Sequence, residues 1–141
     1  MTINIDFDGT VVTHDFPRVG KSIGAGFVLR RLVAKGHKLI LFTMRSDKKG
    51  ELKSNEEGII PVSGQYLTEA VEWFNKNGIE LHGIQSNPDQ KTWTDSPKSY
   101  AELMIDDSAL GCPLKYDRNV SSRPFVDWDK VEWWLESRGI I

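Results

Sequence analysis

The stretch Lys-Leu-Ile-Leu-Phe-Thr at positions 38–43 constrains the fold most, because its four central residues are apolar without alternation. A strand with one wet face alternates apolar and polar side chains. An unbroken run suits a strand buried on both faces of a parallel sheet. Residues 2–7, Thr-Ile-Asn-Ile-Asp-Phe, are short, β-branched and apolar, and read as a second strand. Between the two, Phe27, Leu29, Leu32 and Val33 fall at helical spacing, with a stop at Gly36. Leu67, Ala70, Val71 and Phe74 repeat the pattern up to Gly78. Residues 79–84 form a weaker strand, and 85–97 a polar loop with two prolines. Residues 102–105 are a short strand leading into Asp106 and Asp107. Asp127 is placed to cap a last helix carrying Val131, Trp134 and Leu135 on one face. Strands alternating with helices predict an α/β fold with a mainly parallel sheet covered on both faces, a three-layer sandwich of Rossmann-like type.

At 141 residues the chain is expected to be a single domain, and 39% hydrophobic with 27% charged residues exclude a disordered or fibrous chain. A net charge of -2 argues against generic binding to a nucleic-acid backbone, leaving nucleic acid only as a substrate end. The single cysteine, Cys112, excludes an intrachain disulfide and a Cys-rich zinc site. No apolar run approaches the roughly 20 residues of a membrane span. The start Met-Thr-Ile-Asn-Ile-Asp has no basic region followed by an apolar stretch, so a cytoplasmic location is expected.

In a parallel α/β sheet, ligands bind outside the carboxyl ends of the strands. Three strands of this chain end there in polar groups: Asp6-Phe7-Asp8-Gly9-Thr10, Thr43-Met44-Arg45-Ser46 and Asp106-Asp107. Four carboxylates brought to one edge repel one another unless a cation compensates. Clustered oxygen ligands select a hard cation, and one that also holds a phosphate is best matched by Mg²⁺. Lys98 or Lys91 adds positive charge for an anionic substrate, and Arg45 is a further group for a phosphate.

The order of these segments resembles the haloacid dehalogenase-like (HAD) hydrolase superfamily. Asp6-Phe7-Asp8-Gly9-Thr10 after an apolar strand looks like its first motif, and Thr43 like its second. Lys98, eight positions before Asp106, looks like its third, and Met104-Ile105-Asp106-Asp107 like its fourth. The resemblance implies a Mg²⁺-dependent phosphatase. Asp6 would attack phosphorus and form an aspartyl-phosphate, while Asp8 would act as general acid and then base. The metal would be held by Asp6, the backbone carbonyl of Asp8, Asp106 and Asp107. Thr43 and Lys98 would hold the phosphoryl oxygens, with Gly9, Thr10, Met44 and Arg45 also lining the substrate site. Only 32 residues separate Thr10 from Thr43, and a short loop precedes Lys98, so neither gap holds a folded cap domain. A capless site is expected to take a phosphate carried on a larger molecule, or to borrow a lid from a second subunit.

Other readings of the same residues are a phosphotransferase, a nucleic-acid-end phosphatase, and a phospho-aspartate signalling domain that does not turn over. A signalling receiver carries its adjacent acidic pair at the first strand; here that strand ends in Asp-x-Asp and the pair comes last. Gly20-Lys21-Ser22 lacks the upstream glycine of a phosphate-binding loop, since position 15 is Asp15. His14 and Asp15, in the loop after the first motif, can reach a substrate or stand in solvent. Trp128, Trp133 and Trp134 read as core and rim of the last helix. The polar stretch 46–63 reads as a long loop able to shield the site.

Overall fold

The computed structural model describes residues 1–48 and 64–141, and the backbone of 53–55 and 58–60. In chain order the elements are β1 (Thr2–Ile5), α1 (Ala25–Ala34), β2 (Lys38–Leu41), β3 (Asp47–Lys48), β4 (Lys53–Asn55), β5 (Gly58–Ile60), β6 (Gly64–Gln65) and α2 (Tyr66–Lys76). They continue with β7 (Gly83–Ile84), a 3-10 turn (Pro88–Thr92), β8 (Leu103–Ile105), β9 (Leu114–Lys115), β10 (Phe125–Val126) and α3 (Trp128–Ser137). The main sheet has the order β7-β2-β1-β8, and all its pairings are parallel. Ile5 stands beside Leu41 on one side and Ile105 on the other. The residues that follow these three positions therefore leave the sheet together, which is what assembles the site.

Alternation along the strands decides the layering. Ile3, Ile5 and Phe7, with Leu39 and Leu41, project to one face and form a single core with Val28, Leu29 and Leu32 of α1, Ala70 and Phe74 of α2, and Trp128, Val131 and Leu135 of α3. Each fully buried Leu, Ile or Phe contributes about 1.5–3 kcal/mol of transfer free energy. All three helices thus pack on the same face. The opposite face, with Asn4, Ile40 and Met104, is covered by residues 85–102. There the Asn4 amide donates to the Ser99 carbonyl (3.0 Å), and the Ser99 hydroxyl donates back to Asn4 Oδ1 (3.1 Å). Gln90 Nε2 donates to the carbonyls of Ser96 and Lys98, both at 3.0 Å. The second layer expected from the βαβ alternation is thus a 3-10 turn and loop rather than an α-helix. Pro88 and Pro97 account for this, since each removes an amide donor and restricts the residue before it.

Other boundaries also differ from the sequence reading. Phe27 is 58% exposed, because α1 turns Val28, Leu29 and Leu32 inward and leaves Phe27 outside, beneath the Arg31 guanidinium. The strand expected over 79–84 shrinks to Gly83–Ile84. Where a loop is expected over 46–63, β3 pairs antiparallel with β6 just beyond it and β4 with β5 inside it; residues 49–52, 56–57 and 61–63 lie outside the described residues. The last helix begins as expected, with the Asp127 carboxylate accepting from the Lys130 amide (3.3 Å). No helix among the described residues is long and apolar enough to cross a membrane.

Candidate functional site

Beyond β1 the chain closes into a tight turn. The amides of Thr10, Val11 and Val12 all point at the Phe7 carbonyl, at 3.2, 2.8 and 3.3 Å. Gly9 holds φ +80°, and a Cβ there would lie 2.0 Å from His14 Nε2 and 2.7 Å from Asp107 Oδ2. Both the backbone conformation and the space require glycine. The turn is pinned from the far end of the chain: Trp128 Nε1 donates to the Thr10 carbonyl (2.7 Å), and the Val126 amide to the Gly9 carbonyl (2.9 Å).

This turn and the end of β8 bring three carboxylates together. Ligand atoms of Asp6, Asp106 and Asp107 all lie within 4.8 Å of one another. The Asp6 amide continues the sheet by donating to the Ile105 carbonyl (3.0 Å). Thr10 ties the group internally: its hydroxyl donates to Asp6 Oδ2 (2.9 Å) and accepts from the Asp107 amide (3.0 Å). Asp106 Oδ1 accepts from the Ser108 amide (2.8 Å) and hydroxyl (2.7 Å). His14 Nε2 lies 2.8 Å from Asp107 Oδ2, so His14 contacts the acidic group itself. Asp15 instead pairs with Arg18 at the surface. Among the described residues no lysine or arginine forms an ion pair with Asp6, Asp106 or Asp107. The three carboxylates could together hold a metal ion.

The Asp6 carboxyl is itself shifted. Burial above all pushes its carboxyl from the ordinary 3.8 up to about 7, and repulsion from Asp106 and Asp107 adds to that. Hydrogen bonds from the Phe7 amide and the Thr10 hydroxyl pull the other way. A folded-state value above the unfolded one means that folding takes up a proton. The associated stability is complete below about pH 4 and is lost as pH rises through about 7. Metal-free protein is expected to lose melting temperature across that window, and Asp6→Asn to remove that part of the slope. Thermal melts in EDTA at a series of pH values check this.

At the end of β2, Thr43 stands beside the first turn, since the next amide back, that of Phe42, donates to the Ile5 carbonyl (2.8 Å). The turn 43–45 is held by Gln85, which has no sequence signature. The Thr43 amide donates to Gln85 Oε1 (2.9 Å), and Gln85 Nε2 donates to the carbonyls of Thr43 (2.6 Å) and Arg45 (3.0 Å). Gln85 has φ +62°, the sole positive φ outside glycine among the described residues. Both Gln85→Ala and Gln85→Gly lose the side-chain clamp, but glycine also escapes the roughly 1–2 kcal/mol that a Cβ costs in the left-handed region. Gln85→Ala is therefore expected to be the less stable variant in denaturant melts.

Arg45 is only 2% exposed and does not face the acidic group. Its Nε and Nη2 donate to Asp8 Oδ2 (2.7 Å) and Oδ1 (2.8 Å), and Nη2 also donates to the Arg18 carbonyl (2.7 Å). Nη1 donates to the Tyr66 carbonyl at 3.3 Å. The Asp8 carboxylate, expected beside the other three at this edge, is instead paired with Arg45 and is not among the three that could hold an ion. Arg45, expected on substrate, has no donor turned toward Asp6, Asp106 or Asp107. The Met44 side chain is 96% exposed. Lys98 lines a cavity of about 520 Å³ with Asn4, Trp93, Ser99, Tyr100 and Met104, and is not bonded to the acidic group. Lys91 is exposed on the 3-10 turn.

No protein-family model and no curated protein matches the sequence. Among solved structures, the chain is similar to a conserved protein coded by a locus of Bacteroides thetaiotaomicron. The two are 29% identical, with a TM-score of 0.69, over 98% of this chain and 91% of that one. That likeness agrees with an α/β fold built on a parallel sheet.

Proposed function

We propose that this chain is a Mg²⁺-dependent phosphatase of the HAD-like type, a single Rossmann-like domain without a cap that hydrolyses a phosphate monoester through an aspartyl-phosphate at Asp6. The observation that carries this reading is the meeting of Asp6, Asp106 and Asp107 at the carboxyl ends of two adjacent parallel strands, bridged by the Thr10 hydroxyl. That edge is where α/β sheets bind ligands.

Asp6, Asp106 and Asp107 would hold Mg²⁺, with the Asp8 carbonyl as a further ligand; the bound ion supplies charge neutralisation for the phosphoryl oxygens and keeps Asp6 ionised. An Asp6 oxygen attacks phosphorus, the bond from phosphorus to the ester oxygen breaks, and Asp8 gives that oxygen a proton. Water then attacks the phosphorus of the aspartyl-phosphate and passes a proton to Asp8, which frees phosphate and restores Asp6. Thr43 is supported as a phosphoryl-oxygen donor by its place beside the first turn. Lys98 is supported by its position on the sheet face that carries Asn4 and, two residues on, Asp6. Directly after Arg45, the short pairs β3–β6 and β4–β5 form a small flap, well short of a cap domain.

The test is release of phosphate from p-nitrophenyl phosphate with Mg²⁺ and with EDTA. Turnover in Mg²⁺ that stops in EDTA is expected. Absence of turnover from this ester and from a panel of phosphorylated sugars, nucleotides and nucleic-acid ends would contradict the proposal.

A further inference from the structure

The most heavily bonded side chain near the site is one that this reaction does not use directly. Arg45 lies between the rings of Phe7 and Phe16, with its guanidinium carbon 5.0 and 5.2 Å from the two centroids. Its donors reach three parts of the chain: the Asp8 carboxylate, the Arg18 carbonyl in the loop after the first turn, and the Tyr66 carbonyl at the start of α2. Phe16 also packs edge-on against the Tyr66 ring, with centroids 5.0 Å apart. A planar guanidinium that grips both oxygens of a carboxylate fixes its plane as well as its position. A carboxylate has about four lone-pair directions, so this grip leaves room for one more partner on each Asp8 oxygen.

Building on the phosphatase reading, we propose that Arg45 is the positioning residue for Asp8, and that through it the loop 13–20 and the start of α2 set where the Asp8 carboxylate stands during proton transfer. Arg45 forms no hydrogen bond with Asp6, Asp106 or Asp107; it acts through the Asp8 carboxylate. A lysine keeps the charge but grips one oxygen at a time, and a methionine keeps the buried stem but loses every hydrogen bond.

The experiment measures kcat and KM for p-nitrophenyl phosphate and for an alkyl phosphate in Mg²⁺, using wild type, Arg45→Met, Arg45→Lys, Asp8→Asn and the double variant Asp8→Asn/Arg45→Met. Arg45→Met is expected to lower kcat by about 10²-fold on the alkyl ester, the lower end of what proton transfer contributes. Its effect on the aryl ester, which needs less proton assistance, is smaller, and KM stays nearly unchanged. Arg45→Lys recovers part of the loss. The double variant is no slower than Asp8→Asn alone, because both changes disable one group. Phe16→Ala loosens Arg45 without removing its charge; if Arg45→Met does not fold, the same split between the two esters is expected in Phe16→Ala at smaller amplitude.

A rise in KM with kcat intact would show Arg45 binding substrate directly. Additive losses in the double variant, or an unchanged kcat in folded Arg45→Met, would equally overturn the positioning role while leaving the phosphatase reading standing. A wild-type protein that turns over neither ester in Mg²⁺ would remove the phosphatase reading itself, and this inference with it.

Discussion

Asp6→Asn is expected to abolish turnover, with kcat falling by at least about 10⁴-fold, the scale on which hydrolases lose rate when a covalent nucleophile is removed. A carboxamide is a poor nucleophile toward phosphorus, and Asp6 is the carboxylate that directly follows β1, its amide bonded to the end of β8. Hydrolysis of phosphate monoesters is slow enough uncatalysed that accelerations of up to ~10²¹ are known for this class, so little residual rate is expected without the covalent route. The substitution is not expected to unfold the protein. The Asn oxygen still accepts from the Thr10 hydroxyl, and a carboxyl that burial pushes up to about 7 is replaced by a neutral group. Unchanged circular dichroism together with lost turnover separates the chemical role from a structural one.

The second large effect concerns the metal. Mg²⁺ that binds the folded chain alone stabilises it by about 2.7 kcal/mol at a concentration of 100 Kd. Asp106→Ala removes one of the three converging carboxylates and is expected to lose most of that gain, and the Mg²⁺-dependent activity with it. Asp8→Asn is expected to keep the gain, because the Asp8 side chain points to Arg45 and only its backbone carbonyl is left for the ion. Differential scanning calorimetry with and without Mg²⁺ checks both. Equal gains in wild type and Asp106→Ala would show that the ion binds elsewhere.

What was legible in the sequence is what short-range chemistry dictates. The unbroken apolar run of β2 and the β-branched residues of β1 gave two central parallel strands, and Asp6, Thr10, Asp106 and Asp107 come together after β1 and β8, whereas Asp8, expected with them, pairs with Arg45. The layering was not legible. The βαβ alternation suggests helices on both faces, whereas the proline-bounded stretch 85–102 supplies a loop, and only the pattern of buried side chains shows it. The flap pairs β3–β6 and β4–β5 escaped because strands of two or three residues carry no alternation to read. Arg45 was identified as a residue of the site but assigned to a phosphate. Its partner Asp8 is 37 positions away, and nothing local marks a buried bidentate pair. Gln85 and Trp128 clamp the two turns from other parts of the chain, and neither has a motif that signals it. Lys98 lines the Asn4–Met104 cavity and forms no ion pair with the acids.

The most direct test is chemical capture of the intermediate. Protein mixed with p-nitrophenyl phosphate and Mg²⁺, quenched and treated with borohydride, has any aspartyl-phosphate reduced to homoserine, which peptide mass spectrometry locates. The account predicts homoserine at position 6, dependent on Mg²⁺ and absent from Asp6→Asn. Mg²⁺-dependent turnover with an unmodified Asp6, or with the label at another carboxylate, would contradict it.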